Sequence, residues 1–302
     1  MSSALATSDD GASSTLAQTN QKHYDSTETA ARFNNRPDAL EMGRRVAKAM
    51  KNMYGKFDEE TTEVLDFACG SGLLSMHLAA DCKSILGVDI SQSMVDLYNE
   101  RVSNQGIEPS EMHAVVKDLK GNPDELEGRK FDVIVCSMSY HHFDSILDVT
   151  RALLTHLRPS GSILVVDMHK YAPTTEQAEK VKSYDFVNHD HIHGFTEEQF
   201  RTLFVDEMGL SGFKREIFGH AYMRTGAHWF VFPEGEGEEA DEKAREEAGR
   251  KVESVVPKGG HGGHGHNHGH PHGHGQGTDH GQHKRQEKVE FFIAMGTKSV
   301  SS

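Results

Sequence analysis

Glu63-Val64-Leu65-Asp66-Phe67-Ala68-Cys69-Gly70-Ser71-Gly72 is the stretch whose reading decides the fold. Its first five residues read as a short, largely apolar strand, and the next five form a turn with two glycines. A helical pattern follows at once, with Leu73, Leu74, Met76, Leu78 and Ala79. Gly70 and Gly72 let the backbone pass close beneath a ligand at the carboxyl end of the strand, where doubly wound sheets bind their ligands. The next strand, Ser84 to Val88, runs into Asp89, an acid placed to accept both hydroxyls of a ribose. Together, the turn and the acid point to a ligand containing adenosine.

The alternation extends in both directions. Upstream, Leu40, Gly43, Ala47, Met50 and Tyr54 recur at helical steps from Asp38 onward. Downstream, Ser91 is placed to cap a helix carrying Met94, Val95, Leu97, Tyr98 and Val102. His113 to Val116 reads as a third strand. Phe131 to Cys136 is a near-continuous apolar strand, as expected when both faces are covered. A helical stripe from Ile146 to Leu157 leads through Arg158-Pro159-Ser160-Gly161 to a fifth strand, Ile163 to Val166. Five strands at βαβ spacing require a parallel sheet with helices on both faces.

Beyond the fifth strand the rhythm breaks. His169 to Gly194 is polar and holds His189, His191 and His193 at alternate positions. Thr196-Glu197-Glu198-Gln199 is a capping box opening a helix with Phe200, Leu203 and Phe204. An acidic, helix-prone run (Glu234 to Glu247) and a Gly/His tract fill 233–288 and read as a flexible insertion, after which Val289 to Met295 resumes as a strand. Loop closure costs little more as a loop lengthens, so a hairpin tolerates so long an excursion. The expected organisation is a tail over 1–22, one domain over 23–232 plus 289–298, and the insertion between.

The chain has 302 residues and a formal net charge of -14, from 32 Lys+Arg against 46 Asp+Glu. Such a surface repels phosphate backbones and anionic lipid, so neither nucleic acid nor a membrane is expected as a partner. Cys69, Cys82 and Cys136 show no paired spacing and read as buried, reduced thiols of a cytoplasmic protein. No apolar run approaches the roughly 18 residues of a membrane helix. The Ser/Thr/Ala-rich start carries Asp9 and Asp10 and no arginine in its first twenty residues, unlike a secretory or transit peptide.

Charge discriminates among adenosine ligands. A dinucleotide turn prefers G-x-G-x-x-G with the pyrophosphate on the helix N-terminus, but Ser75 stands at the last glycine position. Asp66 lies at the lip of the strand, where it would repel a pyrophosphate and attract an ammonium or a sulfonium. That favours S-adenosylmethionine over NAD.

The segment Asp66 to Gly72 resembles the first motif of the class I S-adenosylmethionine-dependent methyltransferases, in the variant with Ala for the first glycine. Gly87-Val88-Asp89-Ile90-Ser91 resembles the second motif, and Val116-Lys117-Asp118-Leu119 the adenine-binding corner. Phe131 to Ser137 with Tyr140-His141-His142-Phe143 resembles the fourth-strand motif, and Leu157 to Ser162 the turn into the fifth strand. The resemblance implies a doubly wound, seven-stranded, mainly parallel sheet with an antiparallel last strand. It also implies roles: Asp66, Gly70 and Gly72 on the methionine portion, Asp89 on the ribose, and Ile90 and Leu119 against the adenine. Asp118 would accept from the adenine amino group, Met94 would stand beside the ring, and Ser137 would lie near the methyl. Relatives carry a lid before the first helix, which puts Tyr24 and Phe33 in view as aromatic walls.

The expected function is methyl transfer to a small organic acceptor by in-line displacement, for which the protein aligns the reacting atoms and excludes water. A hydroxyl acceptor also needs a base, and His142 after the fourth strand and His193 in the polar connection are the candidates. The Gly/His tract from Gly259 to His283 has neither cysteine nor finger spacing, so no structural metal site is expected. Three further readings remain open here. The chain is a His-rich metal-binding or scaffold protein with a non-catalytic methyltransferase-like domain, a nicotinamide-dependent dehydrogenase, or a methyltransferase acting on a basic protein.

Overall fold

Strand β1 (Glu63–Phe67) is buried along nearly its whole length because it has a parallel neighbour on each side. β2 (Ser84–Asp89) pairs with it in the register Val64 to Ile85, and β4 (Phe131–Ser137) in the register Val64 to Val133. A strand so placed meets only helices above and below, which accounts for its apolar composition. In this computed structural model the residues described are 16–170, 194–224, 230–250 and 287–300.

β3 (Met112–Val116) lies outside β2, and β5 (Leu157–Met168) lies beside β4, both parallel to their neighbours. β8 (Lys288–Thr297) runs antiparallel to β5, with Val166 opposite Ile293. With β6 (Ser211–Met223) and β7 (Phe230–Val231) the order is β3-β2-β1-β4-β5-β8-β6-β7. The doubly wound, mainly parallel sheet is therefore as expected, but it has eight strands instead of seven. The extra one is the two-residue β7, which pairs with the end of β6 through Tyr222 and Met223. Strand order reverses between β1 and β4, and such a reversal opens a crevice at the carboxyl ends of the strands.

Helix α3 (Pro37–Tyr54) buries Met42, Gly43, Val46, Ala47, Met50 and Met53, while Leu40, expected on that stripe, is exposed. Gly55 at φ 63° ends it, its N–H donating to the Lys51 carbonyl. After the glycine turn, α4 (Ser75–Leu78) is a single turn. Ser91 caps α5 (Gln92–Asn104) as expected, its side chain accepting from the Met94 N–H. α6 (Ile146–Thr155) fills the crossover from β4 to β5, and α7 (Glu197–Arg201) opens on the Thr196–Gln199 capping box. The stretch 1–22 was expected as a disordered tail, and of it residues 16–22 are described. Instead α1 (Leu16–Tyr24) is helical, followed by α2 (Thr27–Asn34). Asn20 and Gln21 donate to the carbonyls of His142 and Ile90, and these tertiary bonds order what composition alone leaves loose.

The chain divides into two compact units, one comprising Met1–His220 with Val289–Ser302 and the other Ala221–Lys288. In the second, α8 (Glu238–Gly249) forms from the acidic run that was expected to be flexible. Its Ala244 and Ala248 are buried in a small cluster with Tyr222, and Arg245 stacks over the Tyr222 ring at 5.3 Å. The sequence marks the run as helix-prone but not as packed, because only two alanines of the helix are buried anchors. The Gly/His tract, His189, His191 and His193 lie outside the described residues.

The first unit is tightest beneath the glycine turn. A Cβ on Gly87 would stand 2.8 Å from Cys69 Sγ and 2.9 Å from both Ala114 Cβ and Tyr98 Cε2. Overpacking of this kind costs about 1–3 kcal/mol. Gly87→Ala is expected to lower the unfolding free energy by that amount, read as a lower urea midpoint, and an unchanged midpoint would refute the packing described.

Candidate cofactor and active site

The turn after β1 is built from residues in the left-handed region: Ala68 at φ 54°, Gly70 at 52° and Gly72 at 80°. The two glycines are required for different reasons. A Cβ on Gly72 would lie 2.7 Å from the Tyr98 ring, so this glycine serves the packing of α5 against the turn. A Cβ on Gly70 would meet no protein atom within 4 Å and would stand in open space beside the turn. Asp89 holds the turn from the neighbouring strand: Oδ2 accepts from the Gly70 N–H at 2.9 Å and Oδ1 from the Ser91 N–H at 2.9 Å. Each oxygen keeps a further lone pair.

Asp66 is 2% exposed, and its Oδ2 accepts from Ser75 Oγ at 2.6 Å. Burial drives its carboxyl up to about 7, against the Ser75 hydrogen bond and with the help of the Asp89 charge. Asp89 is also raised, by burial first, against the N–H groups of Ser91, Gly70 and Ile90. Two acids thus stand at the ends of adjacent strands in surroundings that resist their ionisation.

On the other side of β2 a cleft of about 710 Å³ is lined by Gln18, Gln21, Ile90, Val116, Asp118 and Asp144, among others. Ile90 and Asp118, both expected at the adenine, are among its lining residues. Asp118 is exposed and paired with Lys120 at 2.7 Å. Leu119 and Met94 are buried; Leu119 belongs to the main apolar cluster. Tyr24 stands close enough to Asp89 for that carboxylate to help raise its phenol, the largest cause being burial, with Arg36 acting the other way.

At the end of β4, Ser137 is half-buried and Met138 takes φ 53°, a strained angle for a side chain of that size. The kink lifts Tyr140–His142 into one 3-10 turn over the sheet edge. There His141 Nδ1 lies 2.8 Å from Oδ1 of Asp167, a fully buried acid at the end of β5. Burial lowers the His141 pKa, but the charge and hydrogen bond of Asp167 together outweigh it, so the net shift is upward. The His142 ring packs on His141 at 4.1 Å. Sequence reasoning missed Asp167, although an acid ending the apolar run Ile163 to Val166 is the same signal that revealed Asp89.

Residues 38–212, over half the chain, match the family described as Methyltransferase domain. The chain belongs to the class I S-adenosylmethionine-dependent methyltransferases. An uncharacterized methyltransferase of Schizosaccharomyces pombe is 37% identical over 158 residues, 51% of this chain and 56% of that protein. A ubiquinone biosynthesis O-methyltransferase of Rickettsia canadensis is 23% identical over 113 residues, 37% of this chain and 45% of that protein. The chain thus spans about half the length of these curated relatives. In solved structures, a Haemonchus contortus phosphoethanolamine N-methyltransferase 2 holding S-adenosylhomocysteine superposes with TM-score 0.57 at 13% identity, over 95% of this chain and 61% of that one. The [4+2]-cyclase SpnF gives TM-score 0.58 at 14% identity, over 94% of this chain and 97% of that one. At such identities the likeness speaks for the fold alone.

The cofactor of this family is S-adenosylmethionine, and the nicotinamide reading falls with the assignment. The residues present fit it. Gly70 leaves space where any side chain would intrude, and the nearby acids suit a cation and a ribose.

Asp66 gives a stability test. Its folded pKa lies above the unfolded value of about 3.9, so its stabilising contribution is full below that value and is lost as pH rises through about 7. Asp66→Asn is expected to be more stable than the parent above pH 7, by about 4 kcal/mol, with no such gain at pH 4. Equal differences at the two pH values would contradict the assignment.

Proposed function

We propose that this protein is an enzyme that transfers the methyl group of S-adenosylmethionine to a small organic acceptor by in-line displacement. The observation that carries the reading is the pair of acids, Asp66 and Asp89, at adjacent strand ends around the open Gly70 turn. A bound sulfonium supplies an electrophilic methyl group with a good leaving group already in place. What remains for the protein is to bind, orient and keep out water.

Asp89 accepts the ribose hydroxyls with the lone pairs that the Gly70 and Ser91 N–H groups leave free. Asp66 answers the positive charge of the methionine portion, beside the backbone of Gly70 and Gly72. Ile90 and Asp118 take the adenine in the cleft next to α1, with Leu119 and Met94 packed behind. Ser137, at the end of β4, stands on the acceptor side with His142. Helix α1 joins the two halves of the site by donating from Gln21 to Ile90 O at 3.0 Å and from Asn20 to His142 O at 3.1 Å. It thereby acts as a cover.

Several observations support a small acceptor. The net charge of -14 opposes binding to nucleic acid. Among the described residues, no helix is long and apolar enough to cross a membrane. The relatives named above include an O-methyltransferase and an N-methyltransferase, so family likeness alone leaves the acceptor atom open.

The test is a calorimetric titration with S-adenosylmethionine together with an assay for S-adenosylhomocysteine release. Asp89→Ala is expected to weaken cofactor binding on the order of 100-fold, as loss of charged hydrogen bonds should. It should also cost about 1–2 kcal/mol of stability, because two backbone N–H groups lose their acceptor. Unchanged affinity would refute the ribose assignment.

A further inference from the structure

The sequence reading placed His142 at the acceptor, but the structure gives its neighbour the more telling surroundings. Of the two adjacent rings, His141 is the one held by the Asp167 carboxylate. Three donors converge on that carboxylate. Oδ1 accepts from the His141 ring at 2.8 Å and from the Met168 N–H at 2.7 Å, and Oδ2 accepts from the His141 N–H at 3.2 Å. A carboxylate acceptor fixes Nδ1 as the protonated nitrogen, so the lone pair of the neutral ring sits on Nε2. Among the described residues, only Nδ1 of the ring has a hydrogen-bond partner. The His141 side chain as a whole is 10% exposed. It lies just beyond the carboxyl end of β4, in the turn to which α1 is bonded.

We propose that His141, oriented by Asp167, takes the proton of an ionisable hydroxyl on the acceptor, so that the reaction is an O-methylation of a phenol or enol. The proposal rests on the methyl-transfer reading above. In the step, the acceptor O–H bond breaks and its proton passes to Nε2 of His141. The oxygen lone pair forms the bond to the methyl carbon as the carbon–sulfur bond breaks, and that electron pair stays on sulfur. The imidazolium left behind is neutralised by Asp167 and returns its proton to water. An acceptor hydroxyl near pKa 10, the value for tyrosine, lies about three units above an ordinary histidine, a gap a general base bridges as the oxygen charge is consumed in the transition state. Asp167 is a positioning residue in this scheme: it sets the tautomer and steadies the charge.

The alternative is a purely structural role, with the pair stapling the turn to β5. The two are separated using the full-length protein, with catechol, 3,4-dihydroxybenzoate and a hydroxyquinone as hydroxyl probes and benzylamine and thiophenol as controls. S-adenosylmethionine affinity is measured first. If the parent does not bind it, the methyl-transfer reading itself fails, and this proposal with it. With binding established, turnover is expected on at least one hydroxyl probe and on neither control. His141→Gln should keep its cofactor affinity and lose about 100-fold or more in kcat. Part of that loss should return as pH is raised toward the pKa of the probe, because the acceptor then ionises unaided. Asp167→Asn should lower kcat with little change in KM, and Asp167→Glu should recover part of it. Undiminished kcat in a folded His141→Gln, a loss in that variant that higher pH does not relieve, turnover confined to the amine or thiol, or no turnover of any probe by a protein that binds the cofactor would each overturn the proposal.

Discussion

Burying acid at the edge of a parallel sheet is expensive unless something positive or hydrogen-bonding meets it, and this molecule does so three times, at Asp66, Asp89 and Asp167. Each stands at the carboxyl end of a central strand, on the rim of the crevice that the reversal of strand order opens. The partners differ. Asp167 has the His141 imidazole and two backbone N–H groups, Asp89 has the N–H groups of Gly70, Ser91 and Ile90, and among the described residues Asp66 has only a serine hydroxyl. The rim is therefore unevenly neutralised, and the least satisfied acid is the one deepest beneath the glycine turn. A cationic adenosyl ligand completes that balance, whereas a diphosphate would worsen it.

The rest of the architecture follows from keeping the rim in place. Gly72 and Gly87 bring the turn and β2 against the Tyr98 ring, so α5 grips the strand that carries Asp89. The strained Met138 lifts the chain off β4 so that His141 can reach back to β5. Helix α1 fastens to the ends of β2 and β4 through Gln21 and Asn20, which ties the cover of the crevice to both sides of it. Site and fold share the same few contacts.

The strands, their order of appearance and the glycine turn were legible because apolar periodicity and punctuation report directly on burial and turns. Asp66 and Asp89 were read from their places near the ends of apolar strands and stand there in the structure, whereas Ile90 and Asp118 came from the resemblance to family motifs. Three features were not legible. Helix α1 has a weak apolar face and is held by side-chain amides to distant carbonyls, contacts that leave no periodic trace. The packing of helix α8, unlike its helical tendency, rests on two small alanines amid acidic residues. Asp167 had a readable signal, but its partner His141 is 26 residues earlier, and only the kink at Met138 brings the two together. The sequence pattern likewise cannot tell why a glycine is needed: Gly70 and Gly72 look alike on paper, yet one faces open space and the other a tyrosine ring.

The most direct measurement of the electrostatic account is the pH dependence of S-adenosylmethionine affinity, compared between the parent protein and Asp66→Asn. If the buried Asp66 carboxyl must ionise to receive the cation, binding to the parent tightens as pH rises toward about 7 and releases a proton, while the variant binds weakly with a flatter profile. Superimposable profiles, or equal affinity in the two proteins, would show that Asp66 does not answer the cofactor's charge and would contradict the account.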